Sequence, residues 1–308
     1  MFRYARACLL TSVFAGGFSG QAVAHMYTQF PAFTRGGIPN KSDINAFYQE
    51  FSTSTIYINI SHACAHTPSK YPDQEDNYLT DIVSSQVVVV PPVGPNAVIV
   101  ENLKAPYDFP KLSQYKELGP AGKWALIHEN YSETKPFANP ALPHLYTFYA
   151  EDQPAYFTPA SAMVWTGEGV PDKTVADISF EMTTPPIPAT SCVQEIDYFF
   201  AAAQFCPKAT GKSPYNKDNI FAMAWLLSTT NEWTEELLGG APDQWSPYIR
   251  IMRDLKLNPL PKKCGSVGTV VSVYPGKEDI DQYLRPVVVN KQGEAKQIPV
   301  QQWIKKNQ

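Results

Sequence analysis

Two histidines and a cysteine fall within five residues in the stretch Ile60-Ser61-His62-Ala63-Cys64-Ala65-His66, and the 308-residue chain has only five histidines and five cysteines. Imidazole suits copper and zinc, and a cysteine sulfur is a softer ligand for the same ions. Just upstream, Ile56, Ile58 and Ile60 alternate with Thr55, Tyr57 and Asn59, the period of a half-buried strand. If the strand continues, His62, Cys64 and His66 stay on the isoleucine face. If the chain turns into a helix instead, His62 and His66 become i, i+4 neighbours. Either geometry aims both imidazoles the same way. The stretch therefore reads as a metal site or as a strand end anchored by a disulfide at Cys64.

A second pointer to metal lies near the N-terminus. Arg3 and Arg6 precede an apolar run from Ala7 to Phe18 that is too short to span a bilayer, and Ala22-Val23-Ala24 has the small residues of a cleavage site. Residues 1–24 are therefore expected to be a signal peptide cleaved after Ala24, with the mature chain beginning at His25 in the periplasm or outside the cell. Cleavage would free the α-amino group beside the His25 imidazole. Those two nitrogens can chelate copper together, an arrangement called a histidine brace, and His62 or His66 would complete it. His128 and His144 are further imidazoles, and Met26 and Met163 are further soft ligands.

The leader carries Cys8, so the mature chain keeps Cys64, Cys192, Cys206 and Cys264. Four cysteines in an exported protein point to two disulfides, with three pairings open. Closeness in sequence favours Cys192 with Cys206, which leaves Cys64 for Cys264. The second bridge would join early and late parts of the chain, so residues 25–308 are expected to form a single exported β-rich domain. Loss of Arg3 and Arg6 takes the formal net charge from −4 to −6. That charge makes no case for nucleic acid or an anionic membrane, and no membrane span is expected after cleavage.

The elements that must position these groups are mostly strands. The 28 prolines argue against a helical bundle, and 17 tyrosines and 16 phenylalanines suit a strand-rich chain. Strands are expected at Ser85–Val90, Ala97–Val100, Trp124–Ile127, Leu145–Tyr149, Ala162–Trp165, Val175–Met182, Gly268–Tyr274 and Arg285–Asn290. The β-branched run from Ser85 to Val90 is continuous, so both its faces should be buried. A turn at Lys291-Gln292-Gly293 leads to Ile298–Ile304. Ile196–Phe205 and Ile220–Leu227 fit helix or strand alike. Short helices are expected over Ile44–Phe51 (apolar at i, i+3, i+4, i+7), over Pro110–Leu118, and over Glu232–Leu238 with Asn231 as its cap. The pattern predicts a mainly β fold, a β-sandwich with short helical insertions.

Common enzyme signatures are absent. The chain has no G-x-S-x-G, P-loop, G-x-G-x-x-G, C-x-x-C or H-E-x-x-H motif. The order strand, Ser61-His62-Ala63-Cys64, gap, then Ser85-Gln-Val-Val-Val-Val-Pro91 resembles two groups of exported copper-binding proteins. One is the YcnI-like family of proteins with a mature N-terminal histidine. The other is the copper-repressible surface copper-binding proteins of methane-oxidising bacteria. The resemblance covers residues 54–92 and, for the first group, His25. It implies His62 as a copper ligand, Cys64 as a half-cystine and His25 as a brace. Ala63 stands where those proteins have glycine, and the Trp-x-His of the second group does not occur here.

Three functions follow as expectations. The first is copper binding for handling, storage or delivery through His25, His62 and His66, with another exported copper or redox protein as partner. The second is a histidine-brace copper oxygenase. The third is a non-catalytic exported binding or structural module without metal.

Overall fold

The computed structural model describes residues 26–29, 47–60, 85–93, 96–101, 117–120, 134–149, 160–167, 176–205, 222–238 and 246–307. These residues form a mainly β architecture of packed sheets with three short helices. The first sheet has the order β1 (Met26–Gln29), β3 (Thr53–Ile60), β10 (Ala176–Thr183), β7 (Thr134–Phe137). The second runs β2 (Tyr48–Gln49), β14 (Tyr248–Met252), β11 (Val193–Phe199), β15 (Thr269–Tyr274), β5 (Val98–Glu101), β6 (Glu117–Pro120). The third runs β13 (Ala222–Trp225), β12 (Ala201–Phe205), β4 (Ser85–Val90), β9 (Ala162–Gly167), β8 (His144–Phe148). A small hairpin, β16 (Val287–Val289) with β17 (Ala295–Gln297), forms a two-stranded sheet of its own. The helices are α1 (Glu235–Leu238), α2 (Lys277–Tyr283) and α3 (Val300–Asn307).

One apolar core draws on all three large sheets. Ile56, Ile58, Ile178 and Phe180 come from the first, Ile196, Tyr198, Ile249 and Val271 from the second, and Val87, Val89, Met163 and Trp165 from the third. Three ring contacts join the layers: Trp165 to Phe180 at 6.4 Å, Phe180 to Phe200 at 5.5 Å, and Phe200 to Tyr198 at 5.5 Å between centroids. Each such pair adds roughly 0.5–1.5 kcal/mol beyond the area it buries.

The segment Val193–Phe205, ambiguous from sequence, resolves as two strands end to end. β11 and β12 meet at Phe200, whose amide donates to Pro247 O at 2.8 Å as the chain crosses from the second sheet to the third. Alternation carries through this corner. Ile196, Tyr198, Phe200 and Ala202 face the common core, while Ala201, Ala203 and Phe205 face a second one.

That second core covers the other face of the third sheet. Val88, Val90, Ala162 and Val164 pack under Ile280, Leu284, Val287, Val300 and Trp303 from α2, the hairpin and α3. Gln86 fastens the cover. Its Nε2 donates to Val287 O at 2.8 Å, and its Oε1 accepts from Val287 N at 2.8 Å. Thus β4 is buried along all six residues, as its β-branched run predicts.

Several expectations need correction. Tyr48 and Gln49 are strand, not helix, because they pair in parallel with Ile251 and Met252. Phe47 and Phe51 are exposed, so no apolar stripe forms, and Phe51 takes φ 54° as the chain turns into β3. Glu117 and Leu118 belong to β6 rather than to a helix, the rest of Pro110–Leu118 lying outside the described residues. Trp124–Ile127 lies outside them too. Helix α1 is only four residues, and Thr234 rather than Asn231 caps it, accepting from Leu237 N at 3.2 Å. Most of Ile298–Ile304 is the start of α3, not strand.

The disulfide pairing is the largest correction. Cys192 bonds Cys264, with Cα atoms 5.3 Å apart, not Cys206. Cys192 precedes β11, and Cys206 follows β12. The run of strand between them extends for roughly 40 Å at about 3.3 Å per residue, far beyond what a disulfide can close. Nearness in sequence misled because the intervening residues are extended rather than folded back. One disulfide is present among the described residues; Cys64 and Cys206 lie outside them.

Candidate metal centre

His25, His62, His66 and His128 lie outside the described residues; β1 and β3 are the described strands nearest the first three in sequence. β1 begins at Met26, and β3 ends at Ile60. The two strands are antiparallel, with Met26 the register partner of Ile60. Neighbouring strands run about 4.8 Å apart. Met26 and Ile60, the described residues nearest these histidines in sequence, therefore lie side by side. Ala176, the first residue of β10, pairs with Ile60 from the other side.

This end of the first sheet also carries polar groups. Asn59 and Asp177 are register partners, and Asn59 Nδ2 donates to Asp177 Oδ1 at 2.9 Å. Asn59 is 2% exposed, and its Oδ1 is buried with no partner among the described residues. Asn139 Nδ2 donates to Asp177 O at 2.7 Å, which brings the Asn139–Leu142 turn beside the start of β10.

The same turn reaches the third sheet. A Cβ on Gly167 would meet Ala141 O at 2.3 Å and Leu142 Cα at 2.7 Å, so only glycine lets β9 end against that backbone. His144 follows this turn, opens β8, pairs with Thr166 and is exposed. It is the one histidine among the described residues, and it stands at the end of the molecule where β3 finishes. Among the described residues no three His, Cys, Asp or Glu side chains converge as a metal site requires.

A different cluster, on the outer face of the second sheet, escaped the sequence reading. Arg250 Nε lies 2.6 Å from Glu195 Oε1 and 3.0 Å from Asp197 Oδ1. Asp197 is 1% exposed. Burial pushes its carboxyl up to about 7, against the pull of Arg250 and with a further push from Glu195. Near neutrality Asp197 thus keeps its proton in part of the molecules, with Arg250 in contact with both its carboxyl and that of Glu195. Ser272, its register partner on β15, is fully buried. The signal was present as Glu195 and Asp197 alternating with Ile196 and Tyr198, but it needed the strand assignment to become legible.

No family model, curated protein or solved structure matches the chain. Among the described residues no helix is long and apolar enough to cross a membrane.

Proposed function

We propose that this is an exported β-sandwich protein that binds copper for handling, storage or delivery, through His25, His62 and His66. The observation that carries the reading is the Met26–Ile60 register. Two features found independently in the sequence, a histidine freed by cleavage and a histidine-rich strand end, attach to hydrogen-bonded neighbours of one sheet. The Cys192–Cys264 bond supports export, since such bonds persist in oxidising compartments. Another exported copper or redox protein would deliver or receive the ion.

Bound copper would supply a redox-active cation held by neutral nitrogens. The chain's own part is to hold the ligands at one sheet end and to orient the rings. Protons compete for imidazole, so affinity should fall as pH drops below about 6.5, the ordinary histidine pKa.

The test is metal analysis and electron paramagnetic resonance of the correctly processed protein. Nitrogen couplings at one copper per chain are expected. His62→Ala should lose most of the copper, and a residue added before His25 should weaken binding by blocking the α-amino group. Full stoichiometry in both variants would remove His25 and His62 from the site, and a processed protein that takes up no copper would end the copper reading.

A further inference from the structure

We propose that the end of the packed sheets where β11 starts is a docking surface for a lipid bilayer that carries anionic headgroups. Two loops form it. The first is the turn 254–258, where Asp254 O accepts from Leu257 N at 3.1 Å and from Asn258 N at 2.6 Å. The second runs from the single 3-10 turn at Lys262–Cys264 to the start of β15. Both are fastened to residues 187–193. Asn258 Nδ2 donates to Ile187 O at 2.8 Å, Cys264 bonds Cys192, and Thr269 N donates to Cys192 O at 2.8 Å. The loops leave apolar side chains in solvent: Leu257 is 84% exposed, Val267 76% and Leu255 45%. A single exposed leucine needs no explanation, but three apolar tips on anchored loops at one end of a molecule do.

The charges on these loops say what covers the tips. From Leu255 to Gly276 the chain has three lysines, Lys256, Lys262 and Lys263, and no acidic residue. All three lysines are exposed, and Lys256 lies between Leu255 and Leu257. Two acids of the same region are engaged. Asp254 Oδ1 accepts from the amides of Lys256 and Leu257, and the buried Glu50 carboxylate accepts from those of Ile187 and Asp254. The whole chain is acidic, at −4, but screening confines each exposed charge to about 8 Å at physiological salt, so an approaching surface meets the local lysines. Apolar tips among lysines match a bilayer interface. The tips enter the headgroup layer, and the ammonium groups stay level with the phosphates. A protein partner would need a contiguous face of about 800 Å² on each side, whereas these tips stand on separate loops. Anchored loops also lose little freedom on docking. β3 starts beside this end and runs for 8 residues, so Ile60 would be held roughly 25 Å further from the lipid.

The inference goes beyond the copper reading and does not depend on it, since its test contains no metal. The full chain is sedimented with vesicles of phosphatidylcholine alone and with vesicles of phosphatidylcholine and phosphatidylglycerol in equal parts. Binding to the mixed vesicles is expected, with weaker binding to the neutral ones and a loss as salt rises. Replacing the tips together, by Leu255→Ser, Leu257→Ser and Val267→Ser, should weaken binding about tenfold or more. Lys256→Gln, Lys262→Gln and Lys263→Gln should each cost about fivefold on mixed vesicles and nothing on neutral ones. All six side chains are exposed, so the variants should melt with the parent. No binding of the parent to mixed vesicles would overturn the proposal, and so would undiminished binding of the serine variant. A dimer in light scattering that the serine variant abolishes, without vesicle binding, would assign the tips to a second copy of the chain instead.

Discussion

The two ends of the packed sheets are fastened in different ways. At the end where β11 starts, three segments far apart in sequence meet on buried polar groups. Arg253, 3% exposed, donates to the carbonyl oxygens of Ser191, Val193, Ala189, Asn258 and Pro259 and to Asn258 Oδ1. The Glu50 carboxylate accepts from the amides of Ile187 and Asp254 and from Asn258 Nδ2. The Cys192–Cys264 bond crosses the same region. At the opposite end, where β3 and β12 finish, the described fastenings are the Asn59 and Asn139 bonds to Asp177. The contrast teaches a division of labour. One end is locked by a charged fork and a covalent bond. Among the described residues the other keeps light polar contacts.

That division can be broken by measurement. The largest effect is expected at Arg253→Met, which strands six acceptors in a buried place and should cost about 4 kcal/mol or more in urea unfolding. Arg253→Lys should recover little, because an ammonium cannot reproduce the planar fork. Next comes Cys264→Ser, which opens a loop of 72 residues and should cost about 3–4 kcal/mol. Asn59→Ala, at the other end, should cost only about 1 kcal/mol without metal. A loss there as large as that of Arg253→Met would erase the difference between the ends.

Between the two ends lies Asp197, and its effect is on pH rather than on cohesion. Its folded carboxyl stands near 7 against an ordinary value of 3.8, chiefly because it is buried. Across that window the folded chain holds a proton that the unfolded chain has released. Stability should therefore fall as pH rises from about 4 to about 7 and level off above, by at most about 1.4 kcal/mol per pH unit. Asp197→Asn should flatten that slope, and parallel profiles for variant and parent would refute the assignment. The smallest effect belongs to Thr53→Ala. Its hydroxyl pairs with Thr183 at 2.9 Å in solvent, and the change should stay within about 0.5 kcal/mol.

The strands were legible in the sequence where burial is simple. Ser85–Val90 and Ala162–Gly167 are buried on both faces, and their apolar runs say so. Ile56 and Ile58 alternate with Tyr57, and the strand follows. Tyr48 was illegible because its helical spacing with Phe47 and Phe51 is real, but pairing with β14 overrides it. Helix α2 went unread because its single buried apolar residue, Ile280, leaves no periodic stripe. The disulfide was illegible for a similar reason: partners joined across 72 residues leave no local trace. The candidate site was half legible. Its histidines stand out by type, but the register of β1 on β3, which sets Met26 beside Ile60, does not show in the sequence.

Gln86 gives the chain an order of arrival. Its two bonds to Val287 can form only after nearly the whole sequence has been delivered. Until then Val88, Val90, Ala162 and Val164 have no cover from α2, the hairpin or α3. A chain synthesised N-terminus first would leave that apolar sheet face wet until its last segments arrive, able to pair with another copy. Ending the chain before Lys277 should make that state permanent, with association in place of a monomer as its visible result.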